Sequence, residues 1–183
     1  MKTLAVLLIA LGCSLQSVAF CQQPAGGTIT PGVGVGDVKL GSSLADFNAV
    51  FPPHPQWDES MSNDWCDHSS YHWVDMDLHA NGVYAYLTND KIEQLRVQTP
   101  RFSLANGLKV DASAEKVKRI YPGGRLYVLR FSGSKVVGDL DLQYWVDNIS
   151  GIAFEFYWDS QKKRRSVGSI DIFPSGAEYR PEG

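Results

Sequence analysis

The chain has 183 residues, 44% of them hydrophobic, and a formal net charge of −3. An aromatic content of 11% excludes a disordered chain, and three cysteines are too few for a disulfide-stapled miniprotein. Ten acids and three bases in residues 36–99 are followed by ten acids and thirteen bases in residues 100–183. The chain is therefore electrically polar along its length, but it has no basic stripe, and we expect no nucleic-acid partner.

Residues 1–19 have the order of a secretory signal peptide. Lys2 precedes an apolar run from Leu4 to Leu11, and small residues lead to a cleavage site after Ala19. The run is too short to cross a bilayer, which requires about 20 apolar residues. We therefore expect a periplasmic or secreted protein.

Two cysteines near the N-terminus leave lipid attachment open as an alternative. Cys13 follows a glycine but has a poor upstream pattern, whereas Cys21 has a better upstream pattern but follows the bulky Phe20. A membrane partner is expected only if one of them is lipidated. Cys21 and Cys66 are also candidates for a disulfide in an oxidising compartment, and the sequence does not decide whether they pair.

The sequence predicts one α+β domain over residues 37–174, between a linker and a tail. Residues 20–36 are rich in Gly, Pro, Thr and Gln, which predicts a flexible linker, and residues 175–183 are interpreted as a C-terminal tail. Val38–Pro52 aligns without a gap on Leu108–Pro122, and three later segments recur in the same order. The repeat divides the domain into two units, at residues 37–99 and 107–173.

Each unit is predicted to contain one short helix. Ser43 and Ser113 can cap the helices, because a serine hydroxyl accepts a hydrogen bond from a free backbone N–H of the first turn. Apolar residues at spacings of three and four favour helices over Leu44–Phe51 and Ala114–Tyr121, and a proline follows each.

The remaining apolar residues alternate with polar ones, which predicts antiparallel strands. The fold class predicted is α+β, with two tandem helix-plus-antiparallel-meander units forming one sheet and helices on one face. The side chains predicted to face inward are those of Val83, Ala85, Leu87, Leu140, Leu142, Tyr144, Val146, Ile152, Phe154 and Phe156.

The repeated order of strand, turn, short helix and meander resembles the β-lactamase-inhibitor-protein-like fold. The single unit is similar to small outer-membrane lipoproteins of the SmpA/OmlA type. The resemblance is carried by Leu40-Gly41-Ser42-Ser43 with Phe47 and Val50, and by Val110-Asp111-Ala112-Ser113 with Val117 and Ile120. The second unit has Asp111 where the family favours glycine. The resemblance implies a sheet that binds protein, and it carries over no catalytic residue.

The outer face of the predicted sheet combines aromatic side chains with an arginine, which is typical of interface anchors. We predict an exported non-catalytic binding module that engages a protein partner through this open face; an envelope assembly or scaffold role, as a protein or lipoprotein, is the alternative. A covering second layer, or the loops around Trp57 and Trp65, would close the face. The predicted partner-binding residues are Tyr84, Tyr86, Arg96, Trp145, Glu155 and Tyr157.

Two further charged clusters have alternative interpretations. All four histidines lie between His54 and His79, with Cys66 among them, and they are either ligands of a metal-dependent hydrolase or part of a solvated acidic loop. Their spacing matches no known zinc site, so we expect no metal site and no cofactor. The sequence also has no recognisable catalytic signature, so we expect no enzyme and no catalytic site. The four cations of 162–165 are either a soluble turn or a contact for an acidic partner or lipid head groups.

Overall fold

A computed structural model describes residues 26–51, 71–74, 82–134, 138–179 and 181. The fold over these residues is α+β, as predicted, with two sheets and two seven-residue helices. The helices are α1 (Leu44–Val50) and α2 (Ala114–Ile120). The strands are β1 (Thr28–Thr30), β2 (Gly34–Val35), β3 (Val38–Lys39), β4 (Tyr71–Val74), β5 (Val83–Thr88), β6 (Lys91–Val97), β7 (Ser103–Leu104), β8 (Arg125–Ser134), β9 (Gly138–Asp147), β10 (Ile152–Asp159) and β11 (Arg164–Ile172).

A small sheet with the order β3-β2-β1-β7 contains residues that the sequence analysis assigned to the linker. Ile29 of β1 and Val35 of β2 are buried in the core. Gly34 permits the close pairing of β2 with β3, because a Cβ there would lie 2.0 Å from the carbonyl oxygen of Val38. The predictions of one sheet and of a flexible linker through residue 36 were therefore wrong: glycines that suggested flexibility instead allow backbones to approach.

The large sheet has seven antiparallel strands in the order β4-β5-β6-β11-β10-β9-β8. Its centre is the pairing of β6 with β11, in which Arg96 lies directly opposite Asp171. The last strand of the first predicted unit thus lies beside the last strand of the second. The boundaries of the two units stay a prediction.

Both helices begin where the sequence predicts. The Ser43 hydroxyl accepts a hydrogen bond from the Asp46 N–H at 3.2 Å, and the Ser113 hydroxyl accepts one from the Lys116 N–H at the same distance. The turns before the helices also match, since Gly41 and Asp111 both have a left-handed backbone, with φ of 82° and 71°. An aspartate tolerates this conformation better than most residues, so Asp111 can replace the glycine expected in the second unit.

The two faces of the large sheet belong to different hydrophobic clusters. The apolar face carries Phe154 and Ile170, which share the larger cluster with Phe47 and Val117 of the helices. We call the opposite side the mixed face. Its cluster contains Tyr144, Val146, Ala153, Phe173 and Tyr179.

Strand β9 has the opposite orientation to the one predicted. Trp145 pairs with Phe154 and packs against the cluster of the apolar face, whereas Leu142, Tyr144 and Val146 lie on the mixed face. The predicted alternation in β9 is present, but the prediction of which residues face inward was wrong. Both faces of the sheet offer apolar surroundings, and a strand with apolar residues on both sides does not reveal its orientation.

Candidate functional site

The open aromatic face predicted from the sequence does not form. Tyr84 and Tyr86 lie on the mixed face but are only 3% and 2% exposed, and Trp145 lies on the apolar face. Arg96 and Glu155 are half-buried, which leaves Tyr157 as the exposed member of the predicted set. The structure therefore gathers part of the set on one face and covers most of it. A role for these residues in partner binding stays a prediction.

The centre of the mixed face is a buried ion pair. The Arg96 Nε donates to Asp171 Oδ1 at 2.7 Å, and its Nη2 donates to Asp171 Oδ2 at 3.2 Å. Burial opposes the positive charge, but the adjacent Asp171 carboxylate outweighs it and holds the pKa of Arg96 above its ordinary value. The guanidinium also lies 5.7 Å from the centre of the Tyr86 ring, within the range of a cation–π contact.

A second hydrogen-bonded group surrounds Glu155. The Tyr144 hydroxyl and the Ser169 hydroxyl both donate to Glu155 Oε2, at 3.3 Å and 3.2 Å. Burial raises the pKa of Tyr144, and the nearby Glu155 carboxylate adds to this effect. Arg96, Asp171 and Glu155 on the mixed face thus each have hydrogen-bond partners, and their arrangement is that of a buried structural network.

The C-terminal segment, predicted to be a tail, covers this network. The Tyr179 hydroxyl donates to Asp171 Oδ2, and the Pro181 carbonyl accepts from Arg96 Nη2 at 3.0 Å. The ring of Tyr179 is buried 5.2 Å from that of Phe173 and 5.5 Å from that of Tyr144. Burial and the Asp171 carboxylate raise the pKa of Tyr179. Residues 175–179 and 181 therefore form part of the folded domain, and the sequence analysis was wrong to exclude them.

Among the described residues, one exposed apolar surface of the large sheet lies at its β8 edge. No strand of the described chain pairs with the outer side of β8, which ends the sheet. Leu126 and Val128 project on the apolar face, opposite Trp145 and Gln143, while Tyr127 projects on the mixed face. Leu126 is 53% exposed, and Tyr127 and Val128 are also exposed. Apolar side chains thus flank an unpaired backbone on both sides.

A groove of about 470 Å³ opens at the start of this strand. It lies between β8, the turn from β9 to β10 and the C-terminal segment. Ile149, in that turn, is 85% exposed. Other lining residues are Arg125, Leu126, Tyr127, Asn148 and Glu178. We call β8 and this groove the edge site. The sequence analysis missed it, although the apolar run Leu126–Leu129 was a usable signal for a strand.

The possible metal ligands lie outside the described side chains. His54, Cys66, His68 and His79 are not among the described residues, and only the backbone of His72 is described, in β4. The same applies to the predicted signal peptide, to Cys13 and to Cys21. Among the residues that the structure describes, no three His, Cys, Asp or Glu side chains are grouped to hold a metal ion. Neither described helix has the length and apolar character needed to span a membrane.

Comparison with known proteins gives structural similarity alone. No protein-family model and no curated protein matches the chain. The uncharacterised protein YfeY from Escherichia coli is similar in structure, with 12% identity, a TM-score of 0.49, and coverage of 80% of this chain and 98% of that one. An extracellular protein from Bacillus anthracis that contains an SCP domain has 12% identity and a TM-score of 0.42, over 78% of this chain and 51% of that one. Similarity at this level carries no argument about function.

Proposed function

We propose that this chain is an exported, non-catalytic module that binds a protein partner by strand addition at the edge site. The observation that carries the proposal is the ten-residue edge strand β8, which has exposed apolar side chains and no partner on its outer side among the described strands. Extended segments bind such edges by forming backbone hydrogen bonds with the unpaired strand.

The composition of β8 supports this proposal. Proteins normally protect a long edge strand from association with charges, proline, bulges or a covering loop. In β8 an exposed Arg125 and a register irregularity after Phe131 lie towards the two ends, but the three successive exposed residues Leu126, Tyr127 and Val128 between them carry no charge. An added strand would bury these side chains on both faces of the sheet and also satisfy the free backbone groups.

The groove adds a place for an anchoring side chain. Its volume of about 470 Å³ is within the range of protein binding pockets, and its walls combine apolar side chains with Arg125 and Glu178. A large apolar side chain of the added segment would fill it beside Ile149 and Tyr127. Binding energy in such interfaces is concentrated in a few anchors of this kind.

The polar groups of the mixed face support a non-catalytic role. Glu155 accepts hydrogen bonds from Tyr144 and Ser169, and Asp171 accepts them from Arg96 and Tyr179. Each carboxylate is thus engaged by fixed donors. A general base must instead reach a proton of a bound substrate. The β-lactamase-inhibitor-like resemblance also implies protein binding, although the surface proposed here is an edge and not an open face.

Site-specific photocrosslinking tests the proposal. A benzoylphenylalanine at Leu126 should crosslink to a discrete partner in the extracellular or envelope fraction. The same group at Lys91, an exposed residue at the start of β6, should not. Val128→Lys places a charge on the edge and should lower partner binding by about 30-fold, the equivalent of an anchor worth about 2 kcal/mol.

The unfolding temperature of Val128→Lys separates loss of binding from loss of folding. Val128 is partly exposed, so Val128→Lys should unfold at nearly the same temperature as the wild type. The proposal would be abandoned if crosslinking at position 126 were no stronger than at position 91, or if Val128→Lys bound the partner normally.

Export and lipid attachment are tested by the intact mass of the mature protein. We expect a chain that begins at Phe20 without added lipid. An attached diacylglycerol would instead favour the envelope scaffold role, in which the same edge would bind an assembly partner. Retention of Met1 in exported material would contradict cleavage after Ala19.

A further inference from the structure

The hairpin that joins β10 to β11 carries a second surface, which the edge site does not use. Residues 158–165 contain four cations and one acid, Asp159, for a net charge of +3. Trp158, at the base of the turn, is 61% exposed. Strand β10 has eight residues, so this turn lies about 25 Å from the groove end of the sheet. We call Trp158 with residues 160–165 the hairpin tip.

The side chains of the hairpin tip are arranged as a mixed aromatic and basic patch. Trp158 lies directly opposite Arg165 in the register of the hairpin, so the two side chains project on the same face. Lys162 is paired with Asp159 at 2.9 Å, and Arg164 donates to the Asp111 carbonyl at 3.3 Å. Within the described part of the chain, Lys163 and Arg165 have no such ion pair or side-chain hydrogen bond. The half-buried Arg165 is therefore available directly opposite the exposed Trp158, and the exposed Lys163 is available in the adjoining turn.

The backbone of the turn is held in place by its own acid. The Asp159 carboxylate accepts hydrogen bonds from the backbone N–H groups of Gln161 and Lys162, at 3.1 Å and 3.0 Å. Lys163 then adopts a left-handed conformation with φ of 50°. A lysine at this position costs conformational free energy that a glycine would not, since glycine adopts left-handed backbone without strain.

We propose that the hairpin tip binds the surface of a membrane that contains anionic lipids. Cations near such a surface are attracted to the lipid head groups, and tryptophan partitions to the boundary between head groups and acyl chains. The exposed Trp158 favours a lipid surface over a soluble polyanion, for which cations alone would be sufficient. The contact would be peripheral and would hold the protein with the edge site directed away from the membrane.

Sedimentation with lipid vesicles tests this inference on the purified protein. It should bind vesicles of phosphatidylcholine with about one-third phosphatidylglycerol, and it should not bind phosphatidylcholine alone. Binding should be lost in about 0.5 M NaCl, where the Debye length falls below about 5 Å. Trp158→Ala and Lys163→Gly should each weaken binding by about fivefold or more.

The control is Lys91→Ala, which removes one exposed cation at the opposite end of the sheet. It changes the net charge by the same amount as Lys163→Gly and should leave vesicle binding unchanged. Lys163→Gly also relieves the left-handed strain, so its unfolding temperature should not fall, and weaker binding at an unchanged unfolding temperature comes from the lost charge. Equal effects of Lys163→Gly and Lys91→Ala, or no binding to anionic vesicles, would overturn the inference. Binding to heparin that is independent of Trp158, without binding to vesicles, would also overturn it and assign the patch to a soluble polyanion.

Discussion

The apolar face of the large sheet excludes water with hydrocarbon side chains, whereas the mixed face is closed by a buried ion pair, tyrosines and the C-terminal segment. Phe154 and Ile170 represent the first arrangement, and Arg96, Asp171 and Tyr179 represent the second. The difference teaches that a polar sheet face need not be a binding face. Here the polar groups bind the C-terminal segment, and the partner-binding surface that we propose is the β8 edge.

The largest expected effect is the loss of a large side chain from the apolar face. Phe154 is fully buried, so Phe154→Ala should lower the free energy of unfolding by about 3–5 kcal/mol, because it loses buried area and leaves a cavity. Urea unfolding measures the change. A loss below about 1 kcal/mol would show that this face is not the main core.

Breaking the ion pair of the mixed face should have the next largest effect. Asp171→Asn leaves Arg96, whose side chain is only 12% exposed, without its counter-charge, and should lower the free energy of unfolding by about 3 kcal/mol. The double variant Arg96→Met with Asp171→Leu should lose less, because no uncompensated charge stays buried. Additive losses in the double-mutant cycle of Arg96→Met, Asp171→Leu and the double variant would contradict the pairing.

Substitutions of Trp145 and Tyr157 test whether β9 has the orientation seen in the structure or the one predicted from the sequence. The indole Nε1 of Trp145 donates to the Tyr121 carbonyl at 2.9 Å, and its ring packs on the apolar face. Trp145→Ala should therefore lower the free energy of unfolding by about 2 kcal/mol. Tyr157→Ala, at a residue that is 39% exposed, should cost much less. Equal and small losses in thermal unfolding would restore the predicted orientation of β9.

The sequence predicted local structure better than it predicted which residues cover the mixed face of the sheet. Ser43 and Ser113 marked the helix starts, because capping is a short-range interaction that leaves a clear pattern. The phase of β9 and the burial of Tyr84 depended on what covers the mixed face. One residue that covers part of this face, Tyr179, packs on Tyr144, which lies 35 positions earlier in the chain. The edge site could not be assigned either, since strand order across the sheet is set by long-range pairing.

High pH should lower the free energy of unfolding through the buried tyrosines of the mixed face. Tyrosines with a raised pKa favour the folded protein below pH 10, near the unfolded pKa, and this advantage is lost as pH rises towards the folded pKa. The loss attributable to Tyr179 should be about 1.4 kcal/mol per pH unit above pH 10. Tyr179→Phe should reduce the slope of stability against pH in urea unfolding, and an unchanged slope would argue against a buried phenol.

Tyrosine nitration of the native protein, mapped by mass spectrometry, tests most directly whether the mixed face is closed. The structure predicts that the exposed Tyr127 and Tyr157 react first, and that Tyr84, Tyr86, Tyr144 and Tyr179 react only after unfolding, because they are buried. Tyr127 and Tyr144 are a matched pair, since they lie opposite each other on β8 and β9 and differ in exposure. Nitration of Tyr84 and Tyr86 as fast as that of Tyr127 would mean that the mixed face is open, and it would return the binding site from the β8 edge to that face.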